Sequence, residues 1–500
     1  MYKSTYIHNA LVSENPFRQR QYQAENLPDF KEVKSLLPSI SWEGHEDYIA
    51  CYNRAWEIAF SNLYQPTEES GFVSNFIDTA YNGNIFMWDS AFIMMFGLYG
   101  RRAFNFQGTL DNFYAKQHPD GFICREIKAK NGEDQFHRYD LVSTGPNLLP
   151  WAEWVYFEQT KDLSRLEAVF PVLVAYHQWL KHNRTWKDGS YFASGWATGM
   201  DNQPRLERGY HWNFSHGHMS WLDMNLQQVL SGKILMKMGE VIERWQEIEE
   251  IIDETEYLEN YVNQYMYDTK SHFYYDRLKN GSLSDVKSIG AYWGLVSESF
   301  SHDRVNKLCD YLEDPKVFNR PHRVPSLSYD HPKYQEYGRY WQGGVWAPTN
   351  YMVLKGLEKY NKQKLAFNIA KNHLDNVVSI YKETGTLWEN YSPEYIAPAK
   401  PAKPDFVGWS GIIPITVLLE NVFGIQPDAP NNTIHWHIQL DNDRFSVDNY
   451  PFALDNTLTL TCNSKKLVED FPEVEVRSKK PLTVKLYYQG KEKVIESKCV

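Results

Sequence analysis

The chain of 500 residues has no stretch near the ~20 consecutive apolar residues that a helix needs to cross a bilayer; the longest, Ala91 to Gly100, is half that. No membrane partner is therefore expected. The opening MYKSTYIHNALVSENPF lacks a charged region leading into an apolar core, so no export signal is read there. A cytoplasmic location follows as the expectation, and a periplasmic one would require a leader removed from ahead of this chain. Cysteine is scarce: Cys51, Cys124, Cys309, Cys462 and Cys499 are odd in number, scattered and without a CxxC spacing. That pattern argues against a disulfide framework or a zinc module.

Other absences narrow the chemistry. A net charge of −11 with no basic cluster opposes nucleic-acid binding. Neither GxGxxG nor GxxxxGK[ST] occurs, so dinucleotide and P-loop phosphate chemistry lack their usual signatures and no cofactor is expected. A GxSxG nucleophile elbow is missing, the nearest string being GWSG at 408–411, which is out of frame. His216 and His218 in SHGHM have no HExxH context and no third ligand at a telling spacing, so no metal is expected.

Aromatic residues, in contrast, are abundant. Seventeen Trp, 34 Tyr and 26 Phe make up 15% of the chain, while hydrophobic residues are 42% and charged ones 23%. Mean hydropathy is −0.57, as in a soluble globular protein. Indole and phenol rings stack on the apolar faces of sugars while their polar tips reach hydroxyls, so a carbohydrate cleft is one home for this excess. A large helical core is the other.

From about residue 45, apolar residues recur at the helical period over stretches near 45–62, 88–101, 103–116, 145–159, 163–183, 218–238, 241–268, 288–297, 301–313, 344–360, 362–382 and 409–423. Stop signals separate them, among them NGN at 82–84, HPDG at 118–121, KDG at 187–189, KNGS at 279–282 and PAKPAKP at 398–404. Twelve helices arranged largely in pairs predict an all-α (α/α)6 toroid over 45–425, with a funnel at one end. No fixed-period repeat points to a solenoid. After Gly424 the texture changes to period-two alternation, in IHWHIQL, TLTLTC, VEVRS, LTVKLYY and KVIES. These predict a small antiparallel β-segment over 426–500. Residues 1–44 read as irregular.

Five stretches concentrate polar groups beside aromatic rings. In SGWATGMDNQPR, Asp201 lies between glycines, Trp196 and Arg205; in FMWDSAF, Trp88 and Asp89 open a helix. RYWQGGVWAPTNY brings Tyr340, Trp341 and Trp346 around Gly343 and Gly344, GTLWENYSPE puts Glu389 between Trp388 and Tyr391, and DFVGWSG supplies Trp409. Each has a plain structural reading when taken alone. Asp201 and Asn202 suit a turn, Asp89 a helix cap, Glu389 a solvated loop and Trp409 a core. Together they place two carboxylates, Asp201 and Glu389, in an aromatic-rich setting. Glycosidic cleavage needs that pair: one protonated acid for the departing oxygen and one carboxylate to activate water or attack carbon. Trp196 and Met200 are candidate apolar neighbours that would keep Asp201 protonated near neutrality.

The order WD, SGxxxGMDN, YWxGxxWxPxN, ExYxP and a Gly-Trp at the last helix resembles glycoside hydrolase family 63, and more distantly the family 37 trehalases. The resemblance spans roughly residues 45–425. It implies an (α/α)6 catalytic domain that hydrolyses terminal α-glucosidic or α-mannosidic bonds with inversion, Asp201 acting as general acid and Glu389 as general base. It further implies that Trp88 and Asp89 hold the sugar, that Gln117 and Arg205 touch its hydroxyls, and that Tyr340, Trp341, Trp346 and Trp409 wall the pocket, with Tyr391 beside the base. Inversion calls for carboxyl groups about 6.5 to 9.5 Å apart. The chain is much shorter than the processing glucosidases of that family and closer to its mannosylglycerate-hydrolase type, which suggests small substrates. PAKPAKP is a candidate lid or rim. Two rival readings stand beside this one: a sugar epimerase on the same helical scaffold using His216 and His218, and a carbohydrate-binding protein without turnover. The identity of the sugar, its linkage and the oligomeric state are not encoded in any motif.

Overall fold

Helices form over the stretches whose apolar residues recur every three or four positions, and their burial explains their patterns. The computed structural model describes residues 7–79 and 82–499. Residues 1–6 of the opening stretch and Val500 of the β-segment lie outside the described residues. In Met87–Gly97 every side chain is buried, including Asp89 and Ser90. A helix apolar all round belongs inside the protein. Leu222–Val241 likewise buries Asp223, Asn225, Gln227 and Gln228 together with its leucines. By contrast, His302–Glu313 buries only Val305, Leu308, Cys309 and Leu312, the one-sided stripe of a surface helix.

Largely buried helices follow one another in contact. Met87–Gly97 packs on Leu149–Thr160, which packs on Leu222–Val241; that helix meets Trp293–Val296, then Ala347–Lys359, then Ser410–Ile412, which returns to Met87–Gly97. Amphipathic helices back them: Leu163–Asn183 and Glu249–Tyr265 lie on Leu222–Val241, and Gln363–Thr384 lies on Ala347–Lys359. Glu46–Ser61 joins Gln363–Thr384 and Ile413–Val422. The predicted helix over 288–297 is a 3-10 turn, Ile289–Tyr292, running into a short α-helix, Trp293–Val296. Over 409–423 a 3-10 turn leads into a π-helical segment, Ile413–Val422. The chain is thus helix-rich, with a separate region of mixed sheet.

That sheet region corrects two expectations. It is not purely antiparallel, because Thr483–Tyr488 runs parallel to Thr433–His437, and Arg477 and Ser478 pair in parallel with Lys498 and Cys499. Alternation along a strand sets which face is buried but leaves its neighbour open. Nor is the stretch before residue 45 wholly irregular. Ser39–Trp42 is an edge strand pairing antiparallel with Arg444–Phe452, burying Ile40 and Trp42, and the Trp42 indole donates to Asp443 at 2.8 Å. Arg444–Phe452 escaped the period-two reading because a register shift between Val447 and Tyr450 breaks its alternation. The sheets grip the helices through Phe445, stacked on Phe423 at 4.2 Å, and through Tyr450, 5.6 Å from Tyr99.

Candidate active site

The setting of Asp201 is built by close approach. Ser194 caps the short helix Gly195–Thr198, its hydroxyl accepting from the Ala197 N–H, and Gly199 closes it in the left-handed region at φ 73°. A Cβ on Gly195 would lie 2.1 Å from the Asp201 carbonyl oxygen and 2.5 Å from that of Trp212, while one on Gly199 would meet the Trp88 indole at 3.0 Å. Only glycine fits either position. Asn202 then fastens this loop to the RYWQGG loop: its Oδ1 accepts from the Trp341 N–H at 2.8 Å and its Nδ2 donates to the Arg339 carbonyl at 2.9 Å. Gln203 adds a bond to the Ser326 carbonyl at 2.7 Å and accepts from Ser288 at 2.7 Å.

On the opposing loop, Arg339 and Tyr340 carry φ of 34° and 69°. A bulky residue in this region is strained, and such strain persists only where surrounding bonds hold it. Here the strained backbone aims the Tyr340 phenol at Glu389, donating to Oε1 at 2.9 Å. The other carboxylate oxygen of Glu389 accepts from the Lys403 backbone N–H at 3.2 Å, and the Trp409 indole donates to the Glu389 carbonyl at 2.7 Å. Lys403 belongs to PAKPAKP. That segment is laced to its neighbours by Ala399 N–H to the Asn390 carbonyl and Lys400 N–H to the Tyr337 carbonyl, so its backbone is tethered beside Glu389.

These loops enclose a cavity of about 370 Å³, lined by Trp88, Asp89, Arg125, Phe136, Trp196, Asp201, Tyr340, Trp341, Glu389, Phe406 and Trp409, with Phe86, Asn82, Glu126, Gln135, Gly145, Pro146 and Gly199 completing the wall. Its size is that of a small-molecule site. Asp201 and Glu389 therefore share one cavity with Asp89. Removal from bulk water pushes the Asp201 carboxyl up to about 6, against the pull of Arg125, and the Glu389 charge adds to the rise. Burial also raises Glu389, opposed by the hydrogen bonds from Tyr340 and Lys403. Asp89 is held well above the usual carboxylate range, again chiefly by burial and then by the nearby Glu389 charge. The cavity thus holds acids of differing proton affinity, with Arg125 as the cation that limits the rise of Asp201 and Asp89.

Several residues expected at the site lie elsewhere. Gln117 is scaffold: its amide donates to the Gly121 and Val172 carbonyls at 3.1 and 2.9 Å and accepts from Asn15 at 3.0 Å. The Arg205 guanidinium is locked between Asp223 and Asp276 at 2.6 to 2.8 Å, over the Trp221 ring. All three of its nitrogens are thus engaged by those carboxylates, away from the cavity wall. Trp346 sits behind the wall, stacked on Trp341 at 4.1 Å with the rings parallel to 1°. Tyr391 is buried outside the cavity, its hydroxyl accepting from the Trp388 N–H at 3.2 Å. His216 and His218 pack on each other at 4.5 Å and against Trp186, away from the cavity wall. Sequence reasoning missed Arg125, Phe136 and Phe406. Phe406 stood three residues before the noted Trp409, whereas Arg125 and Phe136 flank the short strand Glu126–Lys128, a segment with no local signal beyond its turn residues.

Comparison with known proteins gives a consistent picture. The model of the mannosylglycerate hydrolase MGH1-like glycoside hydrolase domain matches residues 82–408. A Borreliella burgdorferi protein is 23% identical over 446 residues, covering 87% of this chain and 91% of its own. The mannosyl-oligosaccharide glucosidase of Saccharomyces cerevisiae is 20% identical over 289 residues, covering 54% of this chain and 34% of its own. Among solved structures, the GH63 mannosylglycerate hydrolase of Thermus thermophilus, in complex with Tris and D-glycerate, aligns with a TM-score of 0.59 at 19% identity, over 73% of this chain and 99% of its own.

Proposed function

This chain belongs to the MGH1-like glycoside hydrolases of family 63, and from that membership we propose that it is an inverting, exo-acting hydrolase of terminal α-glucosidic or α-mannosidic bonds in small glycosides. The observation that carries the proposal is the pairing of Asp201 and Glu389 in one cavity, the first held at a pKa of about 6 and the second gripped by Tyr340 and Lys403. Asp201 gives its proton to the glycosidic oxygen as the C1–O bond breaks. Glu389 takes a proton from water, whose oxygen bonds to C1 on the opposite face, so the sugar leaves with its anomeric configuration inverted. Aromatic rings of Trp88, Trp341 and Trp409 offer apolar faces for the pyranose, and Asp89 and Arg125 offer polar partners for its hydroxyls. A carboxyl group as strongly raised as Asp89 serves as a donor while neutral.

Support for an (α/α)6 arrangement comes from the closed succession of buried helices, with amphipathic helices backing Leu222–Val241 and Ala347–Lys359. The epimerase reading receives no support, since His216 and His218 do not line the cavity. The deciding experiment is hydrolysis of α-glucosides and α-mannosides followed by proton NMR of the first sugar released. A β-anomer is expected from one of the two series. First release of the α-anomer overturns the inverting assignment, and an epimerised sugar overturns hydrolysis.

A further inference from the structure

The loop that follows Asp201 carries large rings into solvent. Trp212 is 44% exposed and Phe214 is 54% exposed, although both are of a kind that normally packs inside. A single exposed ring is unremarkable, but these two belong to a continuous aromatic series. Phe214 meets Trp196 edge-on at 5.0 Å, and Trp196 lines the cavity beside Asp201. Phe136, whose ring lies 6.0 Å from that of Trp196, lines the same cavity. His211 stacks on Phe214 at 4.8 Å and on Trp212 at 5.4 Å, extending the series outward.

The backbone beneath is well tied. The Gly195 N–H donates to the Trp212 carbonyl at 2.8 Å, the Ser215 N–H to the His211 carbonyl at 3.0 Å, and the Asn213 N–H to His211 Nδ1 at 3.2 Å. The exposure therefore belongs to a built surface whose carbonyl abuts the very glycine that seats Asp201. Fixed aromatic faces at the mouth of a sugar site fit a flat, partly apolar ring.

The geometry points to an outer subsite on Phe214 and Trp212 that takes the leaving group, and to a leaving group that is itself a sugar ring. The inference rests on the hydrolase reading above and deepens it. A small acid such as glycerate, compact and anionic, has no use for an extended aromatic shelf, whereas a second pyranose would stack on Phe214 with its linking oxygen still directed at Asp201. The chain would then favour disaccharides over a mannosylglycerate-type substrate, in contrast to what the name of its Thermus thermophilus structural neighbour suggests for that protein.

The test compares wild type with Phe214→Ala, Trp212→Ala and the conservative Phe214→Tyr on three probes sharing one terminal sugar, run once as the glucosyl and once as the mannosyl series: the α-glycosyl fluoride, an α-linked disaccharide and the α-glycosylglycerate. Fluoride occupies no outer subsite, so its kcat/KM is expected to stay within twofold in all variants. On the disaccharide, Phe214→Ala is expected to lose about tenfold, mainly in KM, the scale of one aromatic stacking contact, and Phe214→Tyr is expected to restore it. An equal loss on fluoride and disaccharide, or no loss on either, overturns the shelf, as does wild-type preference for the glycosylglycerate. Calorimetric binding of the free monosaccharide and disaccharide reads the shelf without turnover. Tighter binding of the disaccharide, lost in Phe214→Ala, supports it even if no probe is hydrolysed; equal affinities overturn it. A wild type inert towards both the α-glucosyl and the α-mannosyl fluoride counts against the hydrolase reading alone.

Discussion

Replacing Asp201 with Asn separates acid catalysis from everything else the cavity does. The wild-type carboxyl sits at about 6 in place of the ordinary 3.8. Its useful form as a general acid is the protonated one, present below that value and lost above it. Between pH 6 and pH 8 the protonated fraction falls about fiftyfold, and kcat/KM on a glycoside with a sugar leaving group should follow. Asn cannot donate an acidic proton, so the same substrate should lose roughly 10² to 10⁴ in kcat/KM. Its alkaline limb should vanish as well. An α-glycosyl fluoride, whose leaving group departs without protonation, should be spared most of that loss.

Stability supplies an independent reading of the same shift. A carboxyl raised in the folded state contributes stability that is complete below its unfolded value of 3.8 and is lost as pH climbs through about 6. At pH 7 the ionised Asp201 therefore costs the fold at most about 3 kcal/mol, and less in practice because it borders a solvated cavity. Asn carries no such charge and can still accept from Trp196. Asp201→Asn should thus melt at or above the wild-type temperature at pH 7 while the two proteins converge near pH 4, as scanning calorimetry would read. Parallel loss on fluoride and disaccharide, or an unchanged alkaline limb, would refute the assignment of Asp201 as the acid.

Further outcomes follow from other contacts. Glu389→Gln should lower kcat by roughly 10² to 10⁴ on all substrates, the fluoride included, because the attacking water loses its base; near-normal turnover of the fluoride would remove Glu389 from that role. In Tyr340→Phe the hydrogen bond that holds the Glu389 pKa down is gone. The acidic limb of kcat/KM should therefore move to higher pH with the alkaline limb unmoved, and a pH profile of the variant checks it. Gly195→Ala forces a methyl into the Asp201 and Trp212 carbonyls, and should depress kcat well beyond any change in melting temperature. Arg205→Ala leaves Asp223 and Asp276 buried and unpaired, at a cost of about 3 to 5 kcal/mol. Its denaturation midpoint should fall, while KM of the protein still folded stays near wild type.

What could be read from the sequence, and what could not, follows the range of the physical signal. Helices were legible because apolar periodicity is local, and even the buried Met87–Gly97 announced itself by the apolar run that starts at Ala91. Strand neighbours were not, because Thr433–His437 finds Thr483–Tyr488 across about fifty residues and nothing in either segment specifies a parallel partner. The site shows the same division. Asp201 stood out because Gly195, Gly199 and Asn202 must be those residues for the loop to close, so the chemistry of the turn leaves its mark within a few positions. Gln117 and Arg205 looked equally suited to a sugar, yet a polar side chain beside a motif serves a ligand only if no buried partner claims it. For Arg205 the claimants, Asp223 and Asp276, lie 18 and 71 residues away. Arg125 illustrates the converse: unremarkable in its own segment, it is the cation that restrains both Asp201 and Asp89 once the fold assembles them. Local strings thus identify groups that must be where they are, while the long-range pairing of charges decides which of them remain free to meet a substrate.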